Sequence, residues 1–228
     1  MIKIEKTEVW GFEHAIRGMR NPLNSWDRSD TIYGTYYGQD DNGADIVTSE
    51  GFTLGKNDRD LMVRLIKGGQ PHRKFLRQIF VSVDITAPLY WWKEFDTYKV
   101  GTTANSCSTM HKLTSRDLCM DDFSREHLIA RSEDCLHDTI ELINAYRHDY
   151  FQLQKNKDTS GDLKMLWWQM IQLLPTSYNQ KRTVTMSYEN ILNMLEYRRG
   201  HKLDEWRTFC EWIFTLPYGD LLKEGVSE

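Results

Sequence analysis

The sequence has few cysteines, no long apolar run and no excess of basic charge. The cysteines are widely spaced and form no C-x-x-C pair, which argues against a zinc site or a redox dithiol. No run approaches the ~18 apolar residues that a membrane span needs, and residues 1–18 lack the apolar block of a signal peptide. We therefore expect a cytosolic protein with free thiols and no bound metal. The cysteines are Cys107, Cys119, Cys135 and Cys210.

The charge of the chain also limits its partners. A formal net charge of −4 over 228 residues provides no basic field that could hold a nucleic-acid polymer. A local basic pocket for a single phosphate stays possible. Aromatic residues, by contrast, are abundant, with eight Trp, eleven Tyr and nine Phe. Such a content suits a heavily packed core, or an interface and a pocket that use flat rings.

The pattern of apolar residues predicts one α+β domain over residues 1–228, with more helix than strand. Residues 21–53 are rich in Asn, Asp, Gly, Ser and Tyr without a clear period, so we expect a loop-rich insertion at about 21–57. A helix over 121–155 is expected to bury a stripe that includes Leu128, Cys135 and Leu142/Ile143. The predicted strands are 1–10, 78–86 and 182–187, and the other predicted helices are 12–19, 58–69, 88–99, 162–174, 190–198 and 203–214.

Short motifs taken by themselves say little about chemistry. The Trp pairs at 91–92 and 167–168 are more typical of a core than of a cofactor site. His127, His137 and His148 lie on one predicted helix, but their spacings of ten and eleven residues do not converge on a metal. Solvated or capping roles are the better interpretation for these histidines.

Two segments are better candidates for a ligand site. Residues 100–112 (VGTTANSCSTMHK) form a small, polar segment that could present backbone N–H groups to a phosphate, or could simply connect two elements. Residues 197–201 (YRRGH) join the last two predicted helices. Their basic groups could bind a ligand or could interact with the dipole at a helix C-terminus.

Residues 60–214 resemble the flavin-dependent thymidylate synthase family. In that family a G-H-x-S-x-x-E-H segment precedes a strand, and a strand-Pro-helix unit then leads to R-H-R-x-x-S-x-N-E-x-S-x-R. Here His72 stands at the first His of the family pattern, and Pro88 stands at the start of the helix. Asn105 and Ser108 keep the N-x-x-S part of the second motif.

This first half of the resemblance contains several departures from the family pattern. Thr97–Lys99 (TYK) stands where the family has Arg-His-Arg, so only the last charge is kept, and Lys cannot reproduce the bidentate fork of Arg. Glu94 replaces a Gln that contacts the nucleotide in the family. Ser106 replaces the Glu of the motif, and Met110 replaces its closing Arg.

The second half of the resemblance lies in LPTSYNQKRTVTMSYENILNMLEYRRGHKLDEWRTFCEWIF. Family members have a strand here, then an N-x-R turn into a helix. Ser187 and Glu189 stand at the N-x-R positions, so an Arg that contacts the flavin is absent. Asn193 stands where the family places an Asn or His against the flavin.

The same helix continues into an L-R-x-x-x-H segment in the family. Arg198 falls on the Arg that holds and polarises the pyrimidine of dUMP, and His201 follows it. Lys181, on the preceding strand, stands in for an Arg that binds the phosphate. The resemblance therefore gives Arg198 the catalytic role of stabilising negative charge on the uracil.

The resemblance implies a fold with an antiparallel or mixed central sheet and long flanking helices. It implies reductive methylation of dUMP to dTMP, with FAD as cofactor, NADPH and methylene-tetrahydrofolate as co-substrates, and a homotetramer with shared pockets. The implied cofactor-binding residues are His72, Lys99, Asn105 and Asn193, and the implied nucleotide-binding residues are Ser108, Lys181, Arg198 and His201.

Two other functions remain open at this stage. Loss of several Arg residues removes charged hydrogen bonds worth ~1.5–3 kcal/mol each. The chain could therefore be a relative that binds or modifies a nucleotide without the standard FAD and dUMP chemistry. It could also be a structural oligomer without a ligand, because a fold alone does not fix a function.

Overall fold

A computed structural model describes residues 2–39, 45–156 and 162–226, which contain eight α-helices and six β-strands. Helix exceeds strand, and the strands do not alternate regularly with helices, so the predicted α+β class is confirmed. The helices are α1 (Phe12–Arg20), α2 (Lys56–Lys67), α3 (Leu89–Phe95), α4 (Thr109–Lys112), α5 (Ala130–Lys155), α6 (Asp162–Leu173), α7 (Tyr188–Arg198) and α8 (Asp204–Ile213). The strands are β1 (Lys3–Trp10), β2 (Ile32–Gln39), β3 (Asp45–Thr53), β4 (Phe80–Pro88), β5 (Thr103–Ser106) and β6 (Asn179–Ser187).

The main sheet has four strands in the order β1-β4-β6-β5. Strand β4 is flanked on both sides, and Val81, Val83 and Ile85 are at most 1% exposed, whereas the residues between them are half-buried. This alternation is the one that predicts a strand over 78–86, and β4 confirms it. Strand β5 pairs antiparallel with β6 at the edge of the sheet.

The chain divides into two compact units. Unit 1 comprises Met1–Glu8, Ser82–Thr185 and Arg198–Trp212, and unit 2 comprises Val9–Val81, Met186–Tyr197 and Ile213–Glu228. Because neither unit is one continuous stretch of chain, we keep a single domain over 1–228 as our proposal.

Unit 1 has an aromatic core. Trp91 of α3 packs against Trp206 of α8 with ring centroids 4.8 Å apart, and Trp92 contacts Phe95 at 5.2 Å. These rings, together with Phe209, are at most 2% exposed. The interpretation of the Trp pair at 91–92 as core is therefore confirmed, and this core supports the helices from which the site described below is built.

A second apolar cluster in unit 1 joins α5 and α6. Leu136, Ile140 and Ile143 of α5 are buried in a cluster with Met170 of α6. The stripe predicted for this helix is therefore wrong at Leu128, Cys135 and Leu142, which are exposed, and right at Ile143. Helix α5 buries only a narrow face, against α6 and the segment with Leu113, Leu118 and Phe123, so the polar residues around that face blur the pattern.

Unit 2 is organised around α1, α2 and most of α7. Phe12 of α1 meets Tyr188 of α7 edge-on, with ring centroids 5.5 Å apart. Met62 and Ile66 of α2 are 1% exposed. An ion pair is buried in the same unit. Arg20 Nε lies 2.6 Å from Asp58 Oδ1, and the two side chains are at most 4% exposed.

The segment predicted as a loop-rich insertion contains a β-hairpin. Strand β2 pairs antiparallel with β3, in a register that sets Ile32 opposite Thr53. Residues 40–44 of the segment lie outside the described part of the chain. The prediction of a loop over 21–53 is therefore wrong for the two strands. Cross-strand backbone pairing forms this hairpin without the alternation of apolar residues on which sequence reasoning relies.

Three other predictions of secondary structure differ from the structure. The helix expected from residue 121 begins at Ala130, because Ser124 N–H donates to the Ser177 carbonyl and Phe123 forms a bridge with Tyr178. The expected loop over 100–108 contains the short strand β5, which is polar and exposed and so gives no apolar signal. Strand β6 begins at Asn179 rather than at 182.

No helix among the described residues combines the length and the apolar character that crossing a bilayer requires.

Candidate functional site

Arg198, the last residue of α7, lies in a polar cluster in unit 1 and is only 18% exposed. Its Nη1 donates to Glu94 Oε2 at 2.8 Å, and its Nε donates to the Tyr98 hydroxyl at 3.0 Å. The guanidinium lies over the rings of Trp206 and Tyr98, 4.9 and 5.5 Å from their centroids. These contacts combine charge, hydrogen bonding and cation–π attraction, so they hold Arg198 in one orientation. We call Arg198, Glu94, Tyr98, His201 and Trp206 the Arg198 cluster.

The carboxylate of Glu94 is the centre of this cluster. Trp206 Nε1 donates to Glu94 Oε2 at 3.0 Å, and His201 Nε2 lies 3.3 Å from the same oxygen. The backbone N–H of Leu203 donates to His201 Nδ1. Because Nδ1 is an acceptor there, Nε2 is the ring nitrogen that donates towards Glu94. The cluster pairs the cation of Arg198 with the anion of Glu94.

The structure brings together two of the residues singled out in the sequence, Arg198 and His201, since both contact Glu94. It also shows what two of the departures from the family pattern do. Glu94 and Tyr98 replace a Gln and a His, and both bind Arg198 directly. These substitutions therefore change the immediate surroundings of the arginine rather than a remote surface.

Lys181 lies on the main sheet and forms an ion pair with Asp84, at 2.9 Å between Nζ and Oδ2. Thr183 donates to the other oxygen of Asp84 at 2.6 Å. The hydrogen bonds from Thr183 and from Lys181 lower the pKa of the Asp84 carboxyl, and the bond to Asp84 raises the pKa of Lys181. Both side chains are consequently charged over a wide pH range, and Asp84 balances the charge of Lys181.

Strand pairing places the polar segment near Lys181. Asn105 of β5 stands opposite Thr183 of β6, and Cys107 N–H donates to the Lys181 carbonyl at 2.9 Å. Ser108 follows directly and accepts from Lys112 N–H through its carbonyl. The predicted site residues Asn105, Ser108 and Lys181 thus share one edge of the sheet, and the exposed side chains of Asn105 and Lys181 are accessible there.

Asn193 belongs to a different group, in unit 2. Arg73 Nη2 donates to Asn193 Oδ1 at 3.0 Å, and Arg73 Nε lies 3.5 Å from Glu189 Oε1. Arg77 pairs with the other oxygen of Glu189. The Glu189 side chain is 5% exposed, so this carboxylate is buried and is balanced by two guanidinium groups. Buried charges require this kind of pairing.

The pairing of Arg77 with Glu189 explains a departure noted in the sequence. Glu189 stands where the family pattern has the Arg of N-x-R, so it puts a carboxylate where that pattern has a cation. Arg73 and Arg77 both bind this carboxylate and balance its charge.

The remaining predicted residues, His72 and Lys99, have different surroundings. His72 is exposed and lines a cavity between α2 and the segment that follows α1. Lys99 is exposed at a turn where its carbonyl accepts from Thr102 N–H. In the described part of the chain, the side chain of Lys99 has no hydrogen-bond or ion-pair partner. No local motif marks Arg73, Asp84 or Trp206 as site residues, because their partners are distant along the chain.

No protein-family model matches the sequence, and no curated protein is significantly similar to it. Solved structures do match. The chain is similar to the flavin-dependent thymidylate synthase ThyX of Helicobacter pylori in complex with FAD and dUMP, with a TM-score of 0.63 and 15% identity over 99% of this chain and 100% of that chain. A second structure of that enzyme with FAD and dUMP gives a TM-score of 0.64 and 14% identity, and covers 100% of both chains.

A third match is the UMP/dUMP methylase PolB of Streptomyces cacaoi bound to 5-Br dUMP. Its TM-score is 0.57 and its identity 10%, over 99% of this chain and 93% of that chain. At these identities the similarity establishes the fold and not the chemistry. The fold expected from the resemblance, that of the flavin-dependent thymidylate synthases, is thereby confirmed.

Proposed function

We propose that this chain is a divergent relative of the flavin-dependent thymidylate synthases that binds a pyrimidine nucleotide, with Arg198 in contact with the base. The observation that carries the proposal is the Arg198 cluster, in which a half-buried arginine is held rigid by Glu94 and Tyr98. This cluster occurs in a fold whose neighbours were solved with dUMP and 5-Br dUMP. A contact group that is already fixed loses little entropy when a ligand binds.

The charge of the cluster indicates which part of a nucleotide it would contact. Glu94 pairs with Arg198, so this guanidinium has no unbalanced charge to offer a phosphate. The cluster presents an N–H donor beside a carboxylate acceptor. Pyrimidine bases carry hydrogen-bond acceptors and donors on neighbouring atoms. The cluster therefore fits an uncharged base better than an anion.

The phosphate of the nucleotide would bind at the edge formed by β5 and β6. Lys181 pairs with Asp84 there, and its side chain is 46% exposed. The Lys181 ammonium has three N–H donors and is half exposed, so it can donate to a phosphate while it stays bound to Asp84. We propose that Ser108 and Asn105, on the neighbouring strand and the turn after it, complete this end of the site.

The residues present do not fit a flavin in the manner that the family resemblance implies. Glu189 puts a buried carboxylate where the family has a cation, and the Asn193 Oδ1 atom accepts from Arg73. Arg73 and Arg77 are in turn engaged by Glu189.

Reductive methylation of dUMP to dTMP is the second candidate function, with FAD, NADPH and methylene-tetrahydrofolate and with a homotetramer sharing its pockets. It is favoured by the similarity of the whole chain to synthases solved with FAD and dUMP. The visible absorption spectrum of the purified protein, before and after incubation with excess FAD and removal of unbound flavin, tests it. A retained flavin band supports this second function, and its absence in both samples removes it.

A panel of nucleoside monophosphates tests the first proposal. We expect dUMP or dCMP to raise the melting temperature of the protein in a saturable way, because binding to the native state alone stabilises it by mass action. AMP and GMP are expected to produce no shift at the same ionic strength. Equal shifts with purine and pyrimidine nucleotides, or no shift with any of them, would contradict the proposal.

A further inference from the structure

The hairpin of β2 and β3 helps to form an open pocket of about 600 Å³ in unit 2, which we call the aromatic pocket. The end of β1, the start of α1 and the turn at Tyr218 form the rest of it. Its volume is within the range of small-ligand sites. The side chains that line it are those of Val9, Glu13, Pro217 and five aromatic residues, Trp10, Phe12, Tyr33, Phe52 and Tyr218.

Contacts between rings hold the aromatic side chains of this pocket in place. The ring centroid of Phe52 lies 4.7 Å from that of Phe12 and 6.1 Å from that of Tyr33. Trp10 stacks on Phe80, with centroids 6.0 Å apart. Trp10 and Tyr33 are nevertheless 46% and 47% exposed. Rings that are fixed and exposed at once can contact a ligand with little loss of side-chain entropy.

The charge of the aromatic pocket is negative. Glu13 is the one charged residue in its described lining, and this exposed carboxylate has no ion-pair partner in the described part of the chain. Burial raises the pKa of the Tyr33 hydroxyl, and Glu13 raises it further, by more than Arg17 lowers it. A field that disfavours the tyrosinate anion also disfavours an anionic ligand and favours a cation.

We propose that the aromatic pocket binds a small organic cation, an alkylated ammonium ion. The faces of aromatic rings attract such a cation through their quadrupole, and tryptophan attracts it most strongly. Trp10 and Tyr33 supply the exposed ring faces, and Glu13 supplies the opposite charge. All three residues lie in unit 2 and outside the Arg198 cluster, so the proposal does not depend on the function proposed for that cluster.

Calorimetric titration of the full chain with choline tests this site. The second probe is the uncharged alcohol in which a tert-butyl group replaces the trimethylammonium group of choline, so the two probes differ in charge and hardly in shape. We expect saturable binding of choline and at least about fivefold weaker binding of the alcohol, because only the cation is attracted by the rings and by Glu13. Equal affinities for the two probes, or no binding of choline, would overturn the proposal.

Three variants assign the binding to the aromatic pocket. Glu13→Gln keeps the size of the side chain and removes its charge, so it is expected to weaken choline binding at least about threefold and to leave the alcohol unaffected. Trp10→Leu and Tyr33→Leu keep an apolar side chain but remove a ring face. Each is expected to weaken choline binding at least about fivefold. All three side chains are exposed, so the variants are expected to fold.

Trp168→Leu is the matched control. Trp168 is also an exposed tryptophan, but it is on α6 and does not line the aromatic pocket, so the affinity for choline is expected to be unchanged. The proposal fails if Trp10→Leu and Tyr33→Leu both bind choline as tightly as Trp168→Leu does. It also fails if Glu13→Gln weakens the binding of both probes alike.

Discussion

At the scale of single residues, Asp58 shows how this chain tolerates a charge in its interior. Burial alone raises the pKa of this carboxyl, but hydrogen bonds from Thr31, Ser29 and Arg20 outweigh burial and lower the pKa below its ordinary value of 3.8. The Asp58 side chain is 0% exposed, and both of its oxygens accept hydrogen bonds. Asp58 thus joins α2 to the segment that follows α1.

Asp58→Ala is expected to lower the free energy of unfolding by about 3–5 kcal/mol, because it leaves the buried guanidinium of Arg20 without its counter-charge. Urea denaturation monitored by circular dichroism measures this change. Asp60→Ala is the control, since Asp60 is on the same helix and its ion pair with Lys56 is exposed. Equal losses in the two variants would contradict a structural role for Asp58.

The same residue gives a dependence on pH. Because the pKa of Asp58 is lower in the folded chain than in the unfolded chain, its stabilisation is fully present above the unfolded value and is lost as pH falls through the folded value. The difference in unfolding free energy between wild type and Asp58→Ala is therefore expected to be constant near neutral pH. It should shrink below about pH 4. A difference that grows with acidification would be inconsistent with this assignment.

Residue types could be read from the sequence more easily than their partners. The sequence places Arg198, Asn193 and His72 at positions of interest, but it does not show what each of them contacts. Glu94 precedes Arg198 by 104 positions, and Arg77 precedes Glu189 by 112. Only the folded chain brings these charges together. The one signal in the sequence is Glu189, a carboxylate where the family pattern has an Arg.

At the scale of elements, the sequence predicts a strand correctly where one face of the strand is buried. It does not reveal a strand whose two faces are both exposed. Strand β4 alternates because one of its faces is in the core, and it could be predicted within two residues at each end. Strand β5 is exposed at all four positions, and its pairing with β6 leaves no trace in the apolar pattern. Exposed pairing of this kind depends on backbone hydrogen bonds, which every residue type can accept and every type except proline can donate.

The junction between β1 and α1 depends on one glycine. Gly11 has φ +96°, and a Cβ atom placed there would lie 2.0 Å from the Gln78 carbonyl oxygen. We expect Gly11→Ala to lower the free energy of unfolding by at least about 2 kcal/mol. The new Cβ atom would collide with the Gln78 backbone, and alanine would be strained at this positive φ angle. Gly34→Ala, where a Cβ meets nothing within 4 Å, is expected to change stability by less than about 0.5 kcal/mol. Thermal melts of both variants measure the difference, and similar melting temperatures would refute the argument for Gly11.

At the scale of the whole molecule, the architecture is retained although the charged groups around the expected ligands have changed. The chain keeps the synthase fold along its length at 15% identity or less. Arg198 is paired with Glu94, and the carboxylate of Glu189 is buried. A fold is specified by many apolar contacts, each of which tolerates substitution, whereas ligand binding depends on a few charged groups. The fold was therefore the more predictable part of this protein.

The most direct test of the account is the affinity of the full chain for dUMP and dCMP, measured by calorimetric titration in wild type, Arg198→Ala and Arg199→Ala. The last variant removes the same charge from an exposed neighbour. We predict that wild type and R199A bind one of the two nucleotides equally well, and that R198A stays folded but binds it at least tenfold more weakly. Equal affinities in R198A and R199A would remove Arg198 from the site, and with it the proposed function.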